Sequence, residues 1–415
     1  MISTYNGRSR RALVALALAA ALIGGAVASG PMADAAAPPS EQVSGEHLPP
    51  ATNFLFWPAQ LRPAGFRNMA KLFVAEPVAK GSRVRPLPAG RPLSIRYREA
   101  DKVKTVEDYM SDNFTGGLLV LSEGKIVLER YGLGLDEDHV WTSMSVGKSF
   151  TSTLVGAAIK DGAIGGVNDP ITKYVPELRG TAWEGVTLRN ALTMSTGIAY
   201  NEDYRHGGDG MRIVGPQVPG EAHTQGMDLV AFMARSPREA APGSQFNYAS
   251  GVARLLGVVV ANATHRKLNE YLSEKVWVPA GMEHEATWIK DGSGRIMSSG
   301  FLNATLRDFA RFGLFFMQGA RENGQSVLPE GWMAEATSPL VASDDPKVRY
   351  GYQWWVYPDG TYRAIGVFGQ MIYVNPKRDR VVVTLSAWPS AEWKPGYARQ
   401  QKLIDAIGRA LDPPR

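Results

Sequence analysis

Trp141-Thr142-Ser143-Met144-Ser145-Val146-Gly147-Lys148 stands between two kinds of sequence. Before it, residues 117–122 (Gly-Leu-Leu-Val-Leu-Ser) and 126–131 (Ile-Val-Leu-Glu-Arg-Tyr) are rich in β-forming residues, and Glu123-Gly124-Lys125 between them is a hairpin signal. After it, Phe150, Leu154, Val155, Ala158 and Ile159 recur at helical spacing. The stretch therefore predicts a helix that Ser145 opens. Residues three apart share a helical face, so Lys148 can reach the Ser145 hydroxyl. The unpaired N–H groups of a helix N-terminus also lie where an oxyanion would form beside Ser145. A serine hydroxyl is a poor nucleophile until a base takes its proton, and a lysine serves once burial or a neighbouring cation lowers its pKa. Ser145 is the candidate nucleophile and Lys148 its base. The alternative is a helix-capping serine beside a solvated lysine.

Context has to decide, because a Ser-x-x-Lys pattern is expected by chance about once or twice in a chain of this length. Ser122-Glu123-Gly124-Lys125 also matches, but it falls in the hairpin turn, where side chains splay into solvent. Tyr-x-[Asn/Ser] occurs at Tyr109, Tyr248, Tyr271 and Tyr373. Only Tyr248 sits at a corner between a breaker run, Ala241-Pro242-Gly243-Ser244, and a long apolar helix. Its phenol can shuttle protons beside a lysine. Further on, Gly366-Val367-Phe368-Gly369-Gln370 enters the strand 371–374. Glycines there allow close approach to a substrate. The Gln370 N–H is then the expected second oxyanion donor, beside that of Ser145, with Phe368 and Gly369 lining the substrate.

Outward from these motifs, helical stretches are expected at 228–233, 249–263, 267–276, 305–317 and 397–411. Strands are expected at 352–357, 361–365, 371–374 and 381–385. Strands at both ends of a helical middle predict an α/β chain of the α+β type: one antiparallel sheet built from both ends, with a helical subdomain inserted. The main domain is expected over 93–415. Residues 51–92, with Phe54, Phe56, Trp57, Phe66 and Phe73, read as an arm laid on it. Residues 29–50 read as a disordered Ala/Pro-rich linker.

The N-terminus reads as an export signal. Arg8, Arg10 and Arg11 precede an apolar run from Ala12 to Ala28, and Ala26-Val27-Ala28 or Ala33-Asp34-Ala35 offers a cleavage site. The signal would end at residue 28, or near 35, leaving a periplasmic or extracellular protein with no membrane anchor. Ser9-Arg10-Arg11 hints at twin-arginine export. The chain has 415 residues, a net charge of +5 and no cysteine, which excludes disulfides, thiolate metal sites, a cysteine nucleophile and a lipoprotein anchor. Basic residues between Lys71 and Lys104 alternate with Pro and Gly, as a solvated surface segment does, so no nucleic-acid partner is expected. His47, His139, His206, His223, His265 and His284 show no close metal spacing, and neither metal nor cofactor is expected.

Taken in order, Ser145-x-x-Lys148, Tyr248-x-Ser250 and a Gly-rich strand near the C-terminus resemble the penicillin-recognising serine hydrolases. Those include class C β-lactamases, D-Ala-D-Ala carboxypeptidases, family VIII esterases and 6-aminohexanoate-dimer hydrolases. The likeness covers roughly 93–411. Ser143-Met144-Ser145, the segment 198–204 and Tyr-x-Ser make it look closest to the 6-aminohexanoate-dimer hydrolase and esterase branch. The resemblance implies a β-lactamase/transpeptidase-like fold. It also implies that Tyr204 belongs to a loop over the site, its hydroxyl near the scissile amide nitrogen. β-Lactamases and carboxypeptidases carry Lys-Thr-Gly at the third motif, whose cation holds the substrate carboxylate; here Val367-Phe368-Gly369 is set against it. A small ester or uncharged linear amide is the expected substrate, with β-lactam or D-Ala-D-Ala hydrolysis as the alternative. A non-catalytic binder or sensor on the same fold is the rival of another class.

Overall fold

Leu118 and Val120 face one way and Leu119 and Leu121 the other, all four fully buried, so this strand is covered on both faces. The computed structural model describes residues 47–51, 54–204, 208–213, 215–220 and 227–412. The expected signal, and the expected linker as far as residue 46, lie outside them. The main sheet has five principal strands: β1 (Thr115–Ser122), β2 (Lys125–Tyr131), β3 (Tyr362–Gly366), β4 (Gln370–Asn375) and β5 (Arg380–Ser386). All pair antiparallel in the order β3-β4-β5-β1-β2, and Val341–Ala342, Arg349–Tyr350 and Trp355–Val356 extend the β3 side. Strands from before and after the helical middle thus form one sheet, as the pattern predicts.

Four helices bear on the site: α1 (Gly147–Lys160), α2 (Ser250–Thr264), α3 (Leu306–Met317) and α4 (Lys394–Leu411). Phe309, Phe312 and Phe316 of α3 share a core with Leu119, Ile372 and Val383. Leu403, Ile404 and Ile407 of α4 share a second core with Leu118, Met371 and Val382 on the opposite sheet face. The alternation of period two has split one sheet between two helical layers. A smaller sheet runs Ala75–Val78, Ala286–Ile289, Leu302–Ala304, Trp141–Thr142, and its last strand leads directly into the Ser145 turn.

Two expected elements are shorter than their sequence pattern. Of 352–357 only Trp355–Val356 is strand, because Gln353 is left-handed (φ 61°) and breaks the extension. The Tyr352 and Gln353 carbonyls instead accept hydrogen bonds from Ser152 and Ser149 of α1. The helix expected over 267–276 is regular only from Leu268 to Leu272 and widens to a π turn over Ser273–Trp277. The second Ser-x-x-Lys match is used up in the hairpin: Ser122 and Lys125 are its closing pair, around left-handed Glu123 and Gly124.

Residues 54–78 add Phe54, Trp57, Phe66, Met69, Phe73 and Val78 to the core that holds Met144 and Trp141. Arg62 is buried there, donating to the Trp388 and Pro389 carbonyls at 2.9 and 2.8 Å while its guanidinium lies 5.0 Å from the Phe368 ring centre.

Candidate active site

Met144, immediately before Ser145, is left-handed (φ 43°), a conformation that costs a non-glycine residue roughly 1 kcal/mol or more. Its neighbours hold it there. Ser143 donates its backbone N–H to the Leu302 carbonyl at 2.8 Å, and its hydroxyl accepts from the Leu302 N–H at 3.0 Å. The strained turn, a 3-10 turn over Met144–Val146, delivers Ser145 to the start of α1.

From Gly147 to Ala158 every residue of α1 is buried, so Lys148 on its first turn is buried too, 1% exposed. Its ammonium nitrogen lies 2.9 Å from Ser145 Oγ, 3.0 Å from Ser250 Oγ and 3.1 Å from the Ser299 carbonyl oxygen. Burial pulls its pKa down to about 8, with the Glu202 carboxylate opposing the shift. Close packing makes the third contact possible. A Cβ on Gly147 would fall 2.7 Å from the Gly300 Cα, and one on Gly300 would fall 2.5 Å from the Met144 carbonyl oxygen, so only glycines let these chains meet.

Tyr248 enters from the corner before α2. Its hydroxyl is near enough to Ser145 for the serine to pull against the upward shift of the phenol, and its ring centre is 4.9 Å from Lys148 Nζ. The ring stacks on Trp355 at 5.7 Å. Burial, then the Glu202 charge, raises the phenol far above its ordinary range, so it stays protonated at neutral pH. Ser145 and Lys148, three positions apart, and Tyr248, a hundred positions beyond Lys148, meet at one point.

The Gly-rich segment meets Ser145 differently from its expected register. Gly366, at the end of β3, lies against the nucleophile turn: a Cβ there would stand 3.0 Å from the Ser145 nitrogen and 2.9 Å from the Ser143 oxygen. Val367 follows and lines the cavity. Gln370 does not. It is fully buried and pairs with Gly366 across the hairpin; its side chain accepts from Trp141 Nε1 and Ser386 N and donates to the Val367 and Ser386 carbonyls. It braces the sheet behind the site. Phe368 and Gly369 are likewise corrected out of the substrate surface. Phe368 is fully buried between Phe66 and Arg62, and a Cβ on Gly369 would strike Trp388 at 2.4 Å. The hairpin turns inward after Val367, so only its first two residues face Ser145.

Ser145 opens onto a cavity of about 310 Å³. Its apolar lining comes from Phe54, Leu55, Phe73, Ile213, Phe301 and Val367. Its polar lining includes Tyr200, Glu202, Asp203 and Tyr204. Tyr204 lines the cavity, and its hydroxyl donates to Glu202 Oε1 at 2.7 Å. Glu202 also accepts from the Ser250 hydroxyl at 2.5 Å and the Ser250 N–H at 2.8 Å. Among the described residues Arg254 is the one cation in the lining, and it is ion-paired with fully buried Asp291. Sequence reasoning missed Glu202, Ser250 as a lysine partner, Ser299 and the Gly147–Gly300 contact. Glu202 lies in the segment 198–204 and Ser250 is the third position of Tyr248-x-Ser250, so these two carry a local signal, whereas Ser299 and the glycine contact carry none.

A family model described as Beta-lactamase matches residues 103–405. The chain is 29% identical over 356 residues to a 6-aminohexanoate-dimer hydrolase of Paenarthrobacter ureafaciens, covering 83% of this chain and 90% of that one. A solved structure from Bacillus anthracis, described as a 6-aminohexanoate-dimer hydrolase, superposes with a TM-score of 0.76 at 23% identity, over 88% of this chain and 98% of that one. EstCE1, described as a hydrolase with promiscuous acyltransferase activity, superposes with a TM-score of 0.58 at 16% identity, over 72% and 95% of the two chains.

Proposed function

This chain belongs to the beta-lactamase family of serine hydrolases, and on that footing we propose that it cleaves an uncharged carboxylic ester or linear amide through an acyl-enzyme on Ser145. The observation that carries the reading is a buried lysine nitrogen, its pKa lowered to about 8, 2.9 Å from a serine hydroxyl that opens onto a cavity. In the first step Ser145 Oγ bonds to the substrate carbonyl carbon as its proton passes to Lys148. The oxyanion is held by the Ser145 N–H and the N–H of Val367, which follows Gly366 at the strand end. The carbon–oxygen or carbon–nitrogen bond then breaks, and Tyr248, protonated and close to Ser145, supplies the leaving group with its proton and regains one from Lys148. Water repeats the sequence on the acyl-enzyme, releasing the acid and restoring Ser145.

The cavity supports the substrate class. A lining cation already paired with Asp291 offers little to a substrate carboxylate, whereas the apolar lining suits an aliphatic acyl chain. The relatives' printed names, a 6-aminohexanoate-dimer hydrolase and a hydrolase with promiscuous acyltransferase activity, support hydrolysis of an acyl compound. The test is intact-protein mass spectrometry after a fluorophosphonate and after a slow ester, with a panel of short esters, linear amides and a chromogenic cephalosporin. A single adduct on wild type that is lost in Ser145→Ala is expected. No adduct on wild type would leave a binder on this fold, and cephalosporin turnover matching the best ester would replace the substrate class. We also propose that the mature chain, starting near Ser29 or Ala36, works outside the cytoplasm. N-terminal sequencing from host fractions tests this, and Met1 retained in a membrane fraction refutes it.

A further inference from the structure

A lysine can act as base only when it is neutral, and then it has two N–H groups and one lone pair. Three oxygens surround Lys148 Nζ, so which of them faces the lone pair decides whether the residue can take a proton from Ser145. The Ser299 carbonyl can only accept, so it takes one N–H. A hydroxyl can donate or accept, and Ser145 and Ser250 are both hydroxyls. Left free, Ser250 could present its own hydrogen to the lysine lone pair and block it.

Glu202 removes that freedom. Its Oε1 takes the Ser250 hydroxyl hydrogen at 2.5 Å, while Oε2 fixes the same residue through its N–H at 2.8 Å. With its hydrogen committed, Ser250 Oγ must accept from Lys148. Both lysine N–H groups are then used, and the lone pair is left to the one partner able to donate, Ser145. Tyr204 completes the set by donating its hydroxyl to Glu202 Oε1 at 2.7 Å, so nothing but donors meets that oxygen.

We infer that Glu202 is a positioning residue that sets the direction of the Glu202–Ser250–Lys148–Ser145 hydrogen-bond chain and so aims the Lys148 lone pair at the nucleophile. The inference rests on Ser145 and Lys148 being nucleophile and base. It makes Ser250 the relay, which gives the Tyr248-x-Ser250 pattern a physical reason for its third position. The groups facing Lys148 are Ser145 and the Ser299 carbonyl, Tyr248 and Ser250 from the α2 corner, and Glu202 with Tyr204 from the cavity loop. Behind these lie Tyr350 against Tyr248, and the Arg254–Asp291 pair one turn along α2.

The test is the pH dependence of kcat and kcat/KM for wild type, Glu202→Gln, Ser250→Ala and Ser250→Thr on a p-nitrophenyl ester, with fluorophosphonate labelling alongside. Glu202→Gln is expected to lower kcat about a hundred-fold with little change in KM, the size of a lost base. Its acid limb should also move to lower pH, because the charge that holds the Lys148 proton is gone. Ser250→Ala should lower kcat similarly, and Ser250→Thr, which keeps the hydroxyl, should recover most of it. Wild type that labels normally, with Glu202→Gln keeping the wild-type kcat and acid limb, overturns the positioning role alone. If Glu202→Gln does not fold, the Ser250 pair decides: equal activity in Ala and Thr variants overturns it. Wild type that does not label at all overturns the nucleophile assignment beneath it.

Discussion

Lys148 makes the activity depend on pH in a calculable direction. With its pKa near 8, roughly one lysine in ten is neutral at pH 7, so kcat/KM should climb with pH and level off above about 8. A stopped-assay profile from pH 5 to 10 checks this, and an acid limb centred below 6 would mean another group is the base. The same shift bears on stability. The folded pKa, about 8, lies below the unfolded value of 10.5, so the penalty of the buried charge is fully present below pH 8 and fades as pH rises through that window. Lys148→Met is therefore expected to raise the melting temperature more at pH 6 than at pH 10 while abolishing turnover, the usual opposition of site and stability. Tyr248 stays protonated, which suits a group that gives a proton to the leaving atom. An amine leaves far less readily without that proton than a p-nitrophenolate does, so Tyr248→Phe should harm amide turnover more than ester turnover. Equal losses would remove it from that step.

Between elements the site is held by close backbone contacts as well as by side chains. β3 touches the nucleophile turn through Gly366, and the Ser299–Gly300 loop touches it through Gly147. Gly366→Val would drive two methyl groups toward Ser143, Met144 and the Ser145 nitrogen. We expect at least a hundred-fold loss in kcat, the order of one lost oxyanion donor, since the strand must back away. Circular dichroism should still show a folded protein, because β3 keeps its ladder with β4. Wild-type kcat in that variant would mean β3 takes no part in the oxyanion site. The Thr305–Asp308 cap of α3 does its work further out, and through side chains. Fully buried Asp308 accepts from the Glu283 and His284 N–H groups and pairs with Arg311, tying α3 to the small sheet that feeds Ser145.

Across the fold, residues far apart in the chain close the cavity. Asp291 pairs with Arg254 beneath it and accepts from the Ser293 and Arg295 N–H groups. Asp291→Ala should cost about 3–5 kcal/mol, because the arginine loses its buried counter-charge. Urea unfolding measures it, and a loss under 1 kcal/mol would show that the pair is dispensable. Phe54, Leu55 and Phe73 lie outside the matched span of 103–405 yet form part of the apolar lining, with Phe54 edge-on to Phe301 at 4.9 Å. Phe54→Ala should shift the preferred acyl chain of p-nitrophenyl esters to longer members. An unchanged chain-length profile would place the acyl group elsewhere in the cavity.

The Ser145–Lys148 contact could be read in the linear chain because three-residue spacing on a helix is local geometry, and the sheet could be read because its strands are runs of β-forming residues bounded by turn signals. Tyr248 was legible for a similar reason: a breaker run before a long apolar helix marks a fixed corner. The third motif was not legible. Gly366-Val367-Phe368-Gly369-Gln370 offers several equivalent registers, and which residues face Ser145 depends on a left-handed Phe368 that turns the hairpin into the core. That turn is set by Phe66, Arg62 and Trp388, which lie far off in the sequence. Glu202 was hidden likewise. A carboxylate in a polar loop looks solvated until folding brings Ser250 against it, and only then does it order the protons around Lys148. Local spacing names the groups that react; their directions and charge states follow from long-range packing, because burial and hydrogen-bond polarity do not exist until the chain has closed around them.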